Sequence, residues 1–244
     1  MYNDFALVYD RLTDNVEYRK RAEYFRSLLE LCGTTDGLLL DAGCGTGRMT
    51  AEMLKYGFDV IGADNSAAML NAARERVPGG LFVCQDLTRL DLYGTINGAF
   101  CCLDTLNHLS DTDELERALR RISLFTEPSG ALVFDVNTVF KHRQILNNNT
   151  FAIDKGDVYC VWQNTLRNDG LTVDINLDFF IRAGGVYERF SDGFSERAFT
   201  DDELRSALER SGYRVIGVFD DMTMNEPDDR SERVYYCAVK SADS

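Results

Sequence analysis

Long hydrophobic runs are missing from this chain. No apolar stretch approaches the roughly 20 residues that a membrane span requires, and the opening "MYNDFALVYDRLTDN" lacks the basic head and apolar segment of an export signal. A soluble, cytoplasmic protein with no membrane partner is expected. Histidine is scarce as well: His108 and His142 are the only two, they lie far apart, and neither an HExxH pattern nor paired cysteine ligands accompany them. No metal site is expected. The seven cysteines (32, 44, 84, 101, 102, 160 and 237) form an odd set without paired spacing, several of them inside apolar runs where a thiol behaves as a small hydrophobe. A reducing compartment suits them. Basic residues are outnumbered, 26 against 40 acidic, for a net charge of -14, so the average surface repels a polyanion and nucleic acid is disfavoured as a partner. Proline is limited to three residues, and no repeat or low-complexity tract is visible. With 45% apolar content over 244 residues, the chain suffices for one sizeable core, or one core carrying an inserted subdomain.

What is present is alternation. Residues 17–32 place Tyr18, Ala22, Phe25, Leu28, Leu29 and Cys32 on one helical stripe, with Gly33 as the stop. Apolar runs and helical patterns then follow one another: "GLLLDAG" before "GRMTAEMLKYG", "FDVIGAD" before "SAAMLNAARERVP", "LFVCQD", "GAFCCLD" before "DTDELERALRRISLFTEP", and "GALVFDV" before "TVFKHRQIL". That order predicts an α/β fold with right-handed crossovers and a doubly wound, mostly parallel sheet covered on both faces. Asp111 with Glu114, and Thr200 with Glu203, have capping-box spacing.

After residue 150 the period changes. "TVDINLDFFIR" alternates Val173, Ile175, Leu177, Phe179 and Ile181 with polar residues, the signature of a sheet with one wet face. Its neighbours "DVYCVWQNTLR" and "VYERFSDGFSER" are joined to it through "NDG" and "AGG", both hairpin chemistry. Residues 151–199 therefore read as a three-stranded antiparallel β-meander inserted between 1–150 and 200–244. The body resumes with the helix "DDELRSALERSG", the strand "YRVIGVF", an acidic loop and the closing strand "ERVYYCAVK".

The first strand runs into "DAGCGTG", with glycines at 43, 45 and 47. In an open α/β sheet the first strand-to-helix turn is the usual ligand contact. A phosphate-cradling loop would end in Gly-Lys-Ser/Thr, whereas Gly47 is followed by Arg48 and Met49; a dinucleotide fingerprint needs GxGxxG, and these glycines fall as GxGxG. Bare backbone approaching a nucleoside without phosphates remains, the glycines permitting positive φ and removing Cβ atoms. Asp64 ends the second strand about 20 residues on, where a carboxylate accepts both hydroxyls of a ribose. Asp86 ends the third strand, placed to accept from an adenine amino group with the Leu87 backbone at the ring edge.

Through "LLLDAGCGTGRMT", "VIGADNSAAML", "FVCQDLTRLDL" and "FCCLDTLNHL", the chain resembles the class I S-adenosylmethionine-dependent methyltransferases, and most closely their uncharacterised bacterial members with a small β lid. The resemblance spans nearly the whole chain. It implies a Rossmann-like sheet of seven strands with an antiparallel last strand, S-adenosylmethionine as cofactor and S-adenosylhomocysteine as product. It also implies contacts from Asp41, Gly43 and Gly45 to the methionine portion, Asp64 to the ribose, Asn65 and Met69 beside the adenine, Asp86 and Leu87 at its edge, and the Cys102 carbonyl. Tyr9, in "FALVYDRLTDNV", would reach the cofactor carboxylate.

Several of these residues carry a plainer reading. Asp41 equally suits hydrogen bonds within its own turn, Cys44 fills space, and Cys101 and Cys102 read as core thiols. His108, after the fourth strand, lies where an acceptor would meet the sulfonium, yet also suits packing at a helix start. It joins Tyr187 and Glu188 as candidates for assisting proton removal. The expected reaction is in-line methyl transfer to N or O of a small-molecule acceptor. Acidic cavity walls would point to a cationic amine; Arg182, Arg189 or Arg197 turned inward would point to a carboxylate or phosphate. Two alternatives stand beside it. An RNA methyltransferase would want a basic face or an Asn-Pro-Pro-Tyr-like motif, where this chain reads "CLDTLNH". A non-catalytic cofactor-binding module stays open, because the transfer demands no obligatory side-chain nucleophile.

Overall fold

The computed structural model describes residues 3–242, with side chains from Val8 onward. Helices α1 (Asn3–Leu12) and α2 (Tyr18–Leu31) precede strand β1 (Leu38–Ala42), after which come α3 (Arg48–Lys55), β2 (Asp59–Asp64), α4 (Ala67–Arg76), β3 (Leu81–Cys84), β4 (Ile96–Cys101), α5 (Thr112–Phe125) and β5 (Thr126–Asn137). Strands β6 (Thr150–Asp154), β7 (Val158–Leu166), β8 (Thr172–Ala183) and β9 (Val186–Arg197) form a separate antiparallel sheet in that order. Helix α6 (Asp201–Arg210), β10 (Tyr213–Asp220) and β11 (Arg233–Lys240) complete the larger, seven-stranded sheet, ordered β10-β11-β5-β4-β1-β2-β3. Strand β11 runs antiparallel to both of its neighbours, and the β1–β4 and β1–β2 pairings are parallel. Strand order reverses at β1, so a crevice opens between the carboxyl ends of β1 and β4.

Strand alternation decides which core each residue joins. On β1, Leu40 is packed with Ala99, Leu119 and Leu132 on the side of α5 and α6, and Leu39 with Phe25, Met53 and Phe100 on the side of α2 and α3. Both leucines are fully buried, each worth about 1.5–3 kcal/mol of apolar transfer. The α2 stripe behaves as its spacing predicts, with Ala22, Phe25, Leu28 and Leu29 buried. In the smaller sheet Val173, Ile175, Leu177 and Phe179 turn inward, where Val8 of α1 joins their cluster.

Three expectations need correction. The smaller sheet has four strands, because "TFAID" adds β6, whose Phe151 meets Trp162 of β7 edge-on at 5.9 Å; five residues are too few to show a period. The helix expected from "TVFKHRQIL" is a π-type turn over Lys141–Leu146. There the His142 ring is fully buried and Nδ1 lies 2.7 Å from the Leu171 carbonyl, so tertiary packing overrides the local helical period. Thr200 and Glu203 form a reciprocal capping box. Asp111 accepts from the Glu114 N–H at 2.8 Å, but the Glu114 carboxylate turns to the Ser110 N–H.

Asn107, in the 3-10 turn after β4, ties the two sheets together. Its Nδ2 donates to the carbonyls of Asn137 (3.2 Å) and Arg197 (2.9 Å), and its Oδ1 accepts from the Asn137 N–H at 2.9 Å. It is fully buried, so truncation would strand three backbone groups away from water. Asn107→Ala is expected to lower unfolding free energy by about 2–4 kcal/mol in urea denaturation; a loss below about 0.5 kcal/mol would contradict this account.

Candidate active site

The β1–β4 crevice widens into a cavity of about 540 Å³, bounded by the carboxyl ends of β1 to β4, the segment from α1 to α2, and the inner face of the smaller sheet. Its volume suits a ligand of drug or cofactor size. The cofactor candidates Tyr9, Asp41, Gly43, Gly45, Asp64, Asn65, Met69, Asp86, Leu87 and Cys102 all line it, as does His108. Tyr187 and Glu188 do not. They stand exposed near the β8–β9 hairpin tip, so the structure removes both as candidates for proton transfer.

All three glycines of the first turn have positive φ: 78° at Gly43, 52° at Gly45 and 74° at Gly47. Their reasons differ. A Cβ on Gly43 would lie 2.3 Å from Cγ2 of Thr105, and one on Gly47 would lie 3.0 Å from Cβ of Ala73, so protein packing demands both. A Cβ on Gly45 would meet nothing within 4 Å. Only at Gly45 does the missing side chain leave open space beside the cavity, and there an uncluttered backbone favours a ligand.

The carboxylates are set by backbone donors. Asp64 accepts from the Gly45 N–H at 2.9 Å through Oδ2 and from the Ser66 N–H at 2.8 Å through Oδ1, yet burial still raises its pKa. Asp41 accepts from Thr50 Oγ1 at 2.5 Å. Burial outweighs that bond, with the Asp64 charge adding to it, and the pKa is pushed up to about 7. Both the local and the ligand-facing reading of Asp41 are therefore compatible with its place. Asp86 turns Oδ1 to the Thr88 N–H and hydroxyl, at 2.8 and 2.7 Å. The Cys102 carbonyl accepts from Thr105 Oγ1 at 3.0 Å, and burial raises the Cys101 and Cys102 thiols, as suits core residues.

Helix α1 is held over this turn by Asp10. Its carboxylate accepts from Thr46 Oγ1 at 2.7 Å and pairs with Arg76, while Arg48 stands 3.7 Å away with its guanidinium over the Tyr18 ring. Burial and the neighbouring Tyr18 raise the Tyr9 hydroxyl well above its usual range.

The remaining wall holds groups that sequence reasoning missed. Arg233, on β11, pairs with both Asp104 and Asp135, and its Nη2 donates to Asn137 Oδ1 at 3.1 Å. Lys141 Nζ donates to the same oxygen at 2.7 Å, and Asn137 Nδ2 donates to Glu196 Oε2 at 3.1 Å. Asp104, Lys141, Glu196 and Arg233 also line the cavity. Leu103 and Asp104 both have positive φ, 58° and 64°, a costly backbone for side chains. The Asp135 carboxylate holds the Leu103 N–H at 2.7 Å. His108 presents its ring to the cavity 5.1 Å from that of Phe194, and the surrounding walls lower its pKa against the pull of Asp104, which favours neutral imidazole. The arginines considered earlier do not enter: Arg189 pairs with Asp178, Arg197 with Glu203, and Arg182 is exposed. Among the described residues no group of three or more His, Cys, Asp or Glu is arranged to hold a metal ion, and no helix is long and apolar enough to cross a membrane.

A methyltransferase domain model matches residues 39–130. The putative methyltransferase YqeM of Bacillus subtilis (strain 168) is 31% identical over 245 residues, covering 99% of this chain and 98% of that protein. Among solved structures, an S-adenosylmethionine-dependent methyltransferase from Clostridium acetobutylicum ATCC 824 superposes with a TM-score of 0.88 at 27% identity, over 98% of this chain and 99% of its own. A second neighbour, the S-adenosylmethionine-bound amino pentose methyltransferase CalS10 of Micromonospora echinaspora, has a TM-score of 0.76 at 21% identity, with 92% of each chain covered. With these relatives and this sheet order, the chain belongs to the class I S-adenosylmethionine-dependent methyltransferases.

The glycine geometry separates two kinds of requirement. Gly43→Ala combines left-handed backbone with a collision and is expected to cost at least about 3 kcal/mol in urea denaturation. Gly45→Ala bears the backbone cost alone, about 1–2 kcal/mol. Equal losses would contradict the distinction.

Proposed function

We propose that this enzyme methylates N or O of a small-molecule acceptor, with residues 1–150 and 200–244 as the catalytic body and 151–199 as a lid that shapes specificity. The observation that carries this reading is convergence. Three strand-end carboxylates, a bare glycine backbone and the inner face of the second sheet enclose one cavity. The chemistry supplied there by the bound sulfonium is a methyl carbon that a nucleophile's lone pair takes in line while the C–S electron pair returns to sulfur, leaving S-adenosylhomocysteine.

The residues present fit such a ligand. Asp64 is assigned to the ribose hydroxyls, its orientation fixed by two backbone donors. Asp86 and Leu87 are assigned to the adenine edge, Asn65 and Met69 to its faces, and Asp41, Gly43, Gly45 and the Cys102 carbonyl to the methionine portion. Tyr9 is assigned to the cofactor carboxylate from the α1 side. His108, with a neutral imidazole facing the cavity, is the group assigned to take the acceptor's proton. The chain's net charge of -14 weighs against an RNA substrate. CalS10, whose acceptor is an amino pentose by its description, supports a small-molecule acceptor by analogy of fold.

Isothermal titration tests the assignment. S-adenosylhomocysteine is expected to bind, and Asp64→Ala is expected to weaken binding by about 1.5–3 kcal/mol, the worth of a charge-assisted hydrogen bond. No heat of binding would contradict the assigned cavity, and an unchanged constant in the variant would contradict the ribose contact.

A further inference from the structure

We propose that the methyl acceptor is the uncharged hydroxyl of a phenol, its ring seated against Trp162 and Phe194 and its oxygen at His108. This deepens the methyl-transfer reading and rests on it.

The inward face of the second sheet supplies the seat. Trp162 stands opposite Leu177 and Phe194 opposite Ile175, so the two rings flank β8 on the face that lines the cavity. Ile175 and Leu177 are buried, whereas Trp162 and Phe194 keep part of their surface open. The indole is held by Phe151, edge-on at 5.9 Å, and by its own Nε1, which donates to Asn164 Oδ1 at 2.5 Å. With that N–H taken, Trp162 brings π surface to the cavity and no donor. Ile153, Cys160 and Leu177 add apolar lining. Rings fixed in this way take a planar apolar body in offset or edge-on contact at little cost in ordering.

Charge is balanced beside this seat. Glu196 follows Phe194 on the same face of β9 and lines the cavity with Asp104, Arg233 and Lys141. Arg233 pairs with Asp104 and with Asp135, while Lys141 Nζ is held by Asn137 Oδ1 and feels the charges of Asp104 and Glu196. Two lining acids and two lining bases that engage one another offer neither a net field for an ammonium nor a guanidinium fork for a carboxylate. A charged acceptor against Trp162 and Phe194 would give up hydration without gaining a counter-ion, a cost that a neutral ring escapes.

The transfer then selects among neutral acceptors. His108 exposes its ring to the cavity with its centroid 5.1 Å from that of Phe194, so an oxygen carried on a ring beside Phe194 comes within reach of the imidazole. Asp104 of the same segment, Glu114 of α5, Lys141, Glu196 and Arg233 are the charged groups that share the cavity with it. Burial outweighs the pull of Asp104 and favours neutral imidazole. As an oxygen lone pair forms the bond to the methyl carbon, the O–H bond breaks and its proton goes to the imidazole, while the C–S electron pair goes to sulfur. The positive charge lost by the sulfonium ends on the imidazolium. So weak a base suits a phenol, which ionises near about pH 10, and not an aliphatic alcohol, whose proton is far less acidic. A neutral arylamine would attack with its lone pair and need no base beforehand.

Isothermal titration into the full-length protein saturated with S-adenosylhomocysteine compares para-cresol with para-toluate and para-methylbenzylamine, which carry a neutral, a negative and a positive head at about pH 7.5. Para-cresol is expected to bind at least about tenfold more tightly than either ion. It is also expected to bind about three- to tenfold more tightly than methylcyclohexanol, a preference that Phe194→Leu reduces to within about twofold. Equal or tighter binding of an ion, or no preference for the aromatic ring, overturns the proposal. With S-adenosylmethionine, the rate of para-cresol methylation is expected to rise with pH and to level off by about pH 7, as His108 loses its proton. In His108→Gln the rate is expected to fall about a hundredfold or more and to climb instead toward about pH 10, where the phenol ionises by itself, with para-cresol affinity kept within about threefold. A merely structural role for His108 would weaken binding and leave the shape of the profile unmoved. Should either variant fail to fold, the wild-type selectivity and profile carry the test. A wild-type rate still climbing at about pH 9, faster methylation of para-toluidine, or no methylation of para-cresol overturns the proposal while S-adenosylhomocysteine binding leaves the methyl-transfer reading intact. Failure of S-adenosylhomocysteine to bind overturns both.

Discussion

The hydrogen bond from the Gly45 N–H to the Asp64 carboxylate fixes the site on which the remaining assignments depend. It joins the turn after β1 to the end of β2, two elements that touch only because parallel strands bring their carboxyl ends to one edge. The same bond orients Asp64 and keeps the glycine backbone at the cavity surface. Ser66 extends the lock, donating its N–H to Asp64 and capping α4 with its hydroxyl. A buried carboxylate is costly unless donors surround it, and here the donors are backbone groups with no rotamer freedom to lose. Rigidity at this corner is therefore a consequence of sheet topology more than of side-chain packing.

The wall at the end of β4 is built on another principle. Leu103 and Asp104 occupy strained backbone, and a buried ionic cluster offsets that cost, with Arg233 of the last strand between two carboxylates. Buried pairs of this kind contribute little net stability compared with apolar replacements, but removing one partner leaves an uncompensated charge. Their use here is geometric: they hold the end of β4 against the cavity, while Asn107 and Asn137 link it to the second sheet. The two walls thus differ in kind, one made of fixed backbone donors, the other of ionisable side chains.

Much of this was legible in the sequence. The glycine spacing and the acids ending successive apolar runs identified the first wall residue by residue, because each signal lies within a few positions of its strand. The parallel sheet followed from period, and two of the three hairpins of the second sheet from period together with their turn residues. Arg233, Asp135, Lys141 and Glu196 were invisible for a physical reason. They come from β11, β5, the π-type turn and β9, as far as 98 residues apart for the Arg233–Asp135 pair, and no local pattern marks an arginine in "SERVYYC" as the partner of an aspartate in "LVFDVN". Tyr187 and Glu188 failed for the converse reason. They stand near a turn whose strands run far enough to carry them away from the cavity.

The most direct test is the crystal structure of the protein with S-adenosylhomocysteine. The account predicts the ribose hydroxyls about 3 Å from the Asp64 oxygens, the thioether passing beside Gly45, and the sulfur opening toward the part of the cavity under the second sheet. A nucleoside bound away from Asp64, or a sulfur turned from the second sheet, would contradict it.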